Sequence, residues 1–144
     1  MKLSSQRLNS AKADGIWHET AIDGELVKFK IASQKSRAYQ NALLKLVDEA
    51  KLRDKIGNKT DLTQQLESQK AKATRLFAEH ILLDWQGITD DKGKAIPYSV
   101  ELAAELVDEN VYPLIADFVI RKSQETELYM GEIVKDDIEA AKNA

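Results

Sequence analysis

Residues 81–99, ILLDWQGITDDKGKAIPYS, decide how the chain folds. An apolar run ends on a tryptophan, gives way to an acidic turn punctuated by glycine, and meets a Pro-aromatic pair. The stretch could be a phosphate loop, a metal loop or a structural corner. Five residues separate Gly87 from Gly93-Lys94, one too many for a P-loop, and Ala95 stands where a hydroxyl should hold magnesium. Asp84, Asp90 and Asp91 lack the alternating spacing that aims oxygens at one calcium ion. The corner fits better. Aspartates cap local N–H groups and Gly93 takes a left-handed angle. Trp85 plugs the core, its indole N–H finding a nearby carbonyl. Gly87 lets the chain leave a helix past that ring. Pro97 and Ser99 complete the corner, with Ser99 as the N-cap of the next helix.

Upstream, LTQQLESQKAKATRLFAEHILLDW has apolar residues at helical spacing (Leu62, Leu66, Ala73, Leu76, Phe77, Ile81), which predicts one long helix running through to Trp85. Asp61 and Gln64 have the spacing of a capping box at its start. Its first half holds few large apolar residues and is expected to stand partly clear of the core or to pack on a partner. Before it, Tyr39, Leu43, Leu46, Val47 and Ala50 mark a helix that Gly57-Asn58 breaks. Earlier still, Val27, Phe29 and Ile31 alternate with Lys28 and Lys30, the period of a half-buried strand. Asp23-Gly24 supplies the positive backbone angles of a tight turn, so a β-hairpin spans Ile16 to Ala32. Downstream, Ser99 opens VELAAELVDEN, and Pro113 starts a last helix with Leu114, Ile115, Phe118, Val119 and Ile120 on one side. The expected fold is α+β, mostly α: an N-terminal β-hairpin packed with about four helices. A single domain spans 1–144, with a frayed N-terminus at 1–14, the hairpin at 15–32, a helical body at 33–130 and a polar C-terminal tail at 131–144.

The composition is that of a globular chain, 43% hydrophobic and 31% charged. No apolar run is long enough to span a bilayer, and the first residues lack the apolar stretch of a signal peptide, so a cytoplasmic location is expected. Cysteine is absent, which excludes disulfides, thiol catalysis and Cys-based zinc sites. Residues 1–72 hold 14 Lys/Arg against 9 Asp/Glu, while residues 73–144 hold 7 against 15. That asymmetry favours head-to-tail contact between copies, and a homo-oligomer is expected.

Catalytic signatures are missing. His18 is followed by no second zinc-ligand histidine, and His80 with Asp84 lacks a nucleophile or a second base. No cofactor or metal is expected. A basic zone from Lys28 to Lys55 is interrupted by acids, which disfavours a nucleic-acid partner.

The order of these parts resembles the tail assembly chaperones of tailed bacteriophages and prophages. The resemblance runs from Gly15 to Met130 and is most specific at Asp84, Trp85 and Gly87 with the downstream Ile96-Pro97-Tyr98-Ser99 step. It implies a small, non-enzymatic protein that binds the tape measure protein, keeps it soluble and recruits tail tube subunits. Many members are also made in a longer, frameshifted form. Phe77, Ile81, Phe118 and Tyr129 are the candidate partner-binding anchors; Phe77, Ile81 and Phe118 are better read as filling the monomer core, which leaves Tyr129 the best placed for the surface. The competing readings are a virion structural or tail completion protein and a small nucleic-acid binder.

Overall fold

In the structure, a computed structural model describing residues 1–56 and 62–131, the hairpin is the first half of a larger sheet. Strands β1 (Ile16–Ile22) and β2 (Glu25–Ile31) pair antiparallel, with Ile16 opposite Ile31 and Ile22 opposite Glu25. Asp23 and Gly24 adopt φ of +52° and +76° in the turn between them, the mirror-image geometry that matches strand twist. Val27, Phe29 and Ile31 are buried, and Lys28 and Lys30 lie on the opposite face, half-exposed.

The expected long helix stops early. Helix α3 (Leu62–Ile81) ends at Ile81, and Leu82–Gln86 forms a third strand, β3, antiparallel to β2. The order β1-β2-β3 makes β2 central. The expectation of a hairpin with about four helices is therefore corrected to a three-stranded sheet with five α-helices among the described residues. The cause is burial. A helix continued past Ile81 would turn Asp84 into the stripe of Phe77 and Ile81 and swing Leu82 and Leu83 away from it. As a strand, Trp85 pairs with Phe29 and Leu82 with Ile31, and both are buried, while Asp84 faces Lys30 across the sheet's other side. A bulge between Lys30 and Ile31 places Leu82 and Trp85 on one face despite their odd separation.

Trp85 thus sits on a strand rather than at a helix end. Its Nε1–H donates to Ile96 O at 2.9 Å, and its ring lies 4.9 Å from that of Tyr98. The Tyr98 hydroxyl donates to Leu82 O at 2.8 Å. Residues 88–96 close on themselves as a small hairpin: Ile96 N donates to Ile88 O, and Asp90 Oδ1 accepts from the N–H groups of Lys92 and Lys94. Gly93 takes φ +80° there.

Gly87 does a different job from the one expected. Its φ is +93°, and a Cβ would stand 2.6 Å from Leu26 O as the chain crosses the backbone of β2. Gly87→Ala combines a disfavoured backbone angle with a clash against main chain that cannot swing aside. It should lose at least about 1–2 kcal/mol, measured by urea unfolding; a midpoint equal to wild type would contradict this crossing.

The helices cover the face bearing Phe29. Helix α4 (Val100–Leu106) begins where Ser99 Oγ accepts from Leu102 N at 3.2 Å. Helix α5 (Pro113–Gln124) carries Pro113 in its first turn and brings Phe118 to within 6.0 Å of Phe29, ring to ring. Helix α2 (Arg37–Ile56) lies against α3, with Tyr39 edge-on to Phe77. The predicted Gly57-Asn58 break and Asp61–Gln64 capping box lie outside the described residues, as does the tail from Glu132 onward.

Within the N-terminal stretch 1–14 expected to fray, residues 7–14 are docked, while residues 1–6 are exposed. The single-turn helix α1 (Ser10–Ala13) is capped by Asn9, whose side chain accepts from Lys12 N. Leu8 bridges to Met130, Asn9 N donates to Tyr129 O at 2.8 Å, and Gly131 N donates to Arg7 O at 2.9 Å. Both segments pack where Tyr129 is buried.

Candidate functional site

An open groove runs between α3 and the corner that joins α4 to α5. Its floor is apolar: the half-buried Phe77 and Ile120 reach it, over Tyr39 and Val107 of the core. The Tyr39–Phe77 contact is edge-to-face, with centroids 5.8 Å apart and planes at 86°. Thr74 is the centre of the groove, lining all three adjoining cavities of about 300, 400 and 170 Å³. Its Oγ1 donates to Lys70 O at 2.9 Å, so the hydroxyl is satisfied within the helix. The rim is charged. Glu67 and Lys70 rise from α3, and Glu105, Asp108 and Glu109 from the opposite side. Asp108 Oδ1 accepts from Asn110 N at 2.9 Å, which fixes the corner carrying that rim. The balance is four carboxylates to one ammonium.

A second apolar surface lies on the two long helices. Leu44 and Leu52 on α2 are 63% and 58% exposed, and Leu66 on α3 is 62% exposed. The outer half of the α2–α3 pair therefore presents large apolar side chains to solvent, as expected of a helix with little to bury beneath its first turns.

Of the four predicted anchors, the groove holds Phe77. Ile81 and Phe118 are core residues, and so is Tyr129. Placing Tyr129 on the surface is corrected: it is 0% exposed, because the 3₁₀ turn Thr126–Tyr129 folds back under β1. Its hydroxyl lies 3.0 Å from Lys122 O, 3.4 Å from Ile31 O and 3.3 Å from His18 Nε2. Burial raises the phenol's pKa, with Glu125 adding to the effect. His18 stands edge-on to the Tyr129 ring. Burial, then the nearby Lys122 ammonium, lower the imidazole pKa to about 4, against a smaller opposing pull from Glu125. This trio lies beside the meeting of residues 7–12 with residues 129–131.

Sequence reasoning missed Thr74, Val107 and Ile120 as groove residues. Ile120 reads as an ordinary core position, since helical periodicity does not tell a buried stripe from one left open between helices; Val107, 6% exposed, belongs to the core and borders the groove from beneath.

The structure does not bring the other chemical candidates together. Asp84 lies on β3 with its Oδ1 accepting from Trp85 N at 2.8 Å, so the helical spacing that would pair it with His80 is absent. Among the described residues no group of three His, Asp or Glu side chains is placed to hold a metal ion. Lys28 and Lys30 lie on the sheet and Arg37 and Lys45 on α2, so the basic zone is divided between elements; Lys28 approaches Glu19 at 3.9 Å. No helix among the described residues is long and apolar enough to cross a membrane.

A family model described as YdaY prophage protein matches residues 32–140, about three-quarters of the chain. The chain belongs to the YdaY prophage protein family. It is a phage or prophage protein, and the matched region of this YdaY-family chain contains α2 through α5 and every residue of the groove and the corner. No curated protein matches the chain, and no solved structure matches it.

Proposed function

We propose that this YdaY-family prophage protein is a tail assembly chaperone that binds the tape measure protein and aids tail tube assembly without catalysing a reaction. The observation that carries the reading is the open groove: an apolar floor of Tyr39, Phe77, Val107 and Ile120 between charged walls. A surface of that form suits the apolar face of a helix laid into it. Tape measure proteins present long helical segments that need such cover before the tail tube closes around them. Membership in a prophage family supports the setting. The corner of Asp84, Trp85, Gly87, Pro97 and Ser99, on which the resemblance to tail chaperones is most specific, is structural in this reading: it anchors β3 and launches α4 beside the groove. Tail tube subunits are the second expected partner.

Co-expression tests this directly. The tape measure protein encoded by the same prophage should aggregate when made alone and elute as a soluble complex when made with this chain. The complex should survive moderate salt, because apolar contacts dominate it, whereas phosphate-driven binding weakens steeply. Unchanged solubility and no complex, with or without a frameshifted longer form, would remove the chaperone reading. Retention of the chain in purified tails would favour a structural or completion role instead.

A further inference from the structure

We propose that the groove centred on Thr74 takes a basic amphipathic helix: an apolar stripe about three turns long, flanked by Lys or Arg. This rests on the chaperone reading above and specifies the chemistry of the segment it would bind. The length follows from α3. Glu67 and Phe77 mark the two ends of the groove along that helix, a span of about 15 Å at 1.5 Å per residue. Apolar residues at one end of a docked helix would meet Phe77 and Ile120, and those two turns further along would lie over Ala71 and Ala104.

Charge selects among occupants. The rim sets Glu67, Glu105, Asp108 and Glu109 against Lys70, so a helix with acidic flanks is repelled and one with basic flanks is drawn in. The chain's own residues 132–144 hold Glu132, Asp136, Asp137 and Glu139 against Lys135 and Lys142. They share the sign of the rim and are a poor match. A second copy offers Leu44 and Leu52 on α2, a helix with Arg37, Lys45, Lys51, Arg53 and Lys55 against Asp48, Glu49 and Asp54, so its positive excess is small and its acids would meet the acidic rim. A separate, uniformly basic segment fits best.

The test uses the full chain and fluorescein-labelled synthetic peptides of about fourteen residues. One has leucines at helical spacing with lysine flanks, and a second has glutamate in place of every lysine. Fluorescence anisotropy should show the lysine peptide binding at least about tenfold tighter. Thr74→Arg, which fills the centre of the groove, should weaken it by a similar factor. Glu67→Lys with Glu105→Lys changes two exposed side chains and should reverse the preference; it decides the matter even if the Thr74 variant fails to fold. Equal binding of both peptides, or lysine-peptide binding unaltered by the double charge reversal, would overturn the proposal. So would self-association that Thr74→Arg abolishes, since a second copy would then own the groove. The two readings fail separately. If wild type and the groove variants solubilise the tape measure protein equally, the groove assignment is wrong and the chaperone reading stands. If the peptide binds as expected but wild type leaves the tape measure protein aggregated, the groove assignment stands and the chaperone reading is wrong.

Discussion

Trp85→Ala is expected to lose roughly 3–5 kcal/mol of stability, the range for removing a large buried ring. The indole is 5% exposed, lies against Tyr98 and faces Phe29 across the β2–β3 ladder. Truncation would open a cavity at the junction of the sheet and the residue 88–96 hairpin. It would also strip Ile96 O of the Nε1–H that it accepts at 2.9 Å. Trp85→Phe separates the two effects: it keeps most of the volume and loses the donor, so it should cost about 1–3 kcal/mol, the penalty for an orphaned buried acceptor. Urea unfolding monitored by far-UV circular dichroism gives both numbers. An alanine variant within about 1 kcal/mol of wild type would refute the core placement, since ordinary exposed sites fall in that range. Emission of Trp85 in a Trp17→Phe background offers a second check, with a blue-shifted maximum expected in the folded state.

The same residue shows what the sequence could and could not disclose. The hairpin was legible because Val27, Phe29 and Ile31 alternate with lysines over a full strand and Asp23-Gly24 names its turn. Strand β3 was hidden because its five residues follow twenty helical ones without a breaking glycine or proline. Periodicity still held a clue. Extending the α3 wheel past Ile81 would bury Asp84 and expose Leu82 and Leu83, a conflict that a switch to strand resolves. The bulge then blurred strict alternation within β3, removing the usual period-two signature. Trp85 and its carbonyl partner could be anticipated from the amphipathic character of the indole, whereas the element carrying them could not. Tyr129 failed for another reason. It follows a polar run from Ser123 to Glu127, but its burial is supplied by β1 and by residues 7–9, contacts made between residues more than a hundred positions apart. The groove was half legible: Phe77 stood out as an aromatic on α3, while Ile120 came to line it only once α4 and α5 turned a corner beside it.

Acid should loosen the packing of Tyr129 against β1. His18 is held neutral, with a pKa lowered to about 4 by burial and then by the Lys122 ammonium, while Glu125 pulls weakly the other way. These side chains are themselves in contact: Lys122 Nζ lies 3.4 Å from Glu125 Oε2, at the end of α5 above the imidazole. The Tyr129 hydroxyl has one proton, and its shortest contact is Lys122 O at 3.0 Å. Donating there leaves an oxygen lone pair to accept from His18 Nε2–H. The unfolded imidazole titrates near 6.5. Above that value both states are neutral and His18 gives stability no pH dependence. Below it the unfolded chain binds a proton that the folded chain refuses, so stability falls with pH until the folded value near 4 is reached. The loss between about pH 8 and about pH 5 should be roughly 2 kcal/mol, most of it below about pH 6.5 and before most carboxylates contribute. His18→Gln removes the titrating group and keeps an amide able to reach the hydroxyl. Its stability should therefore be flatter across that window than wild type, whatever its absolute value. Parallel curves for the two proteins would mean that His18 takes up its proton in the folded state as readily as in the unfolded one. The contact among His18, Tyr129 and Lys122 would then not exclude charge, and the closure of the fold at that point would rest on the bonds that residues 7–12 make to residues 129–131.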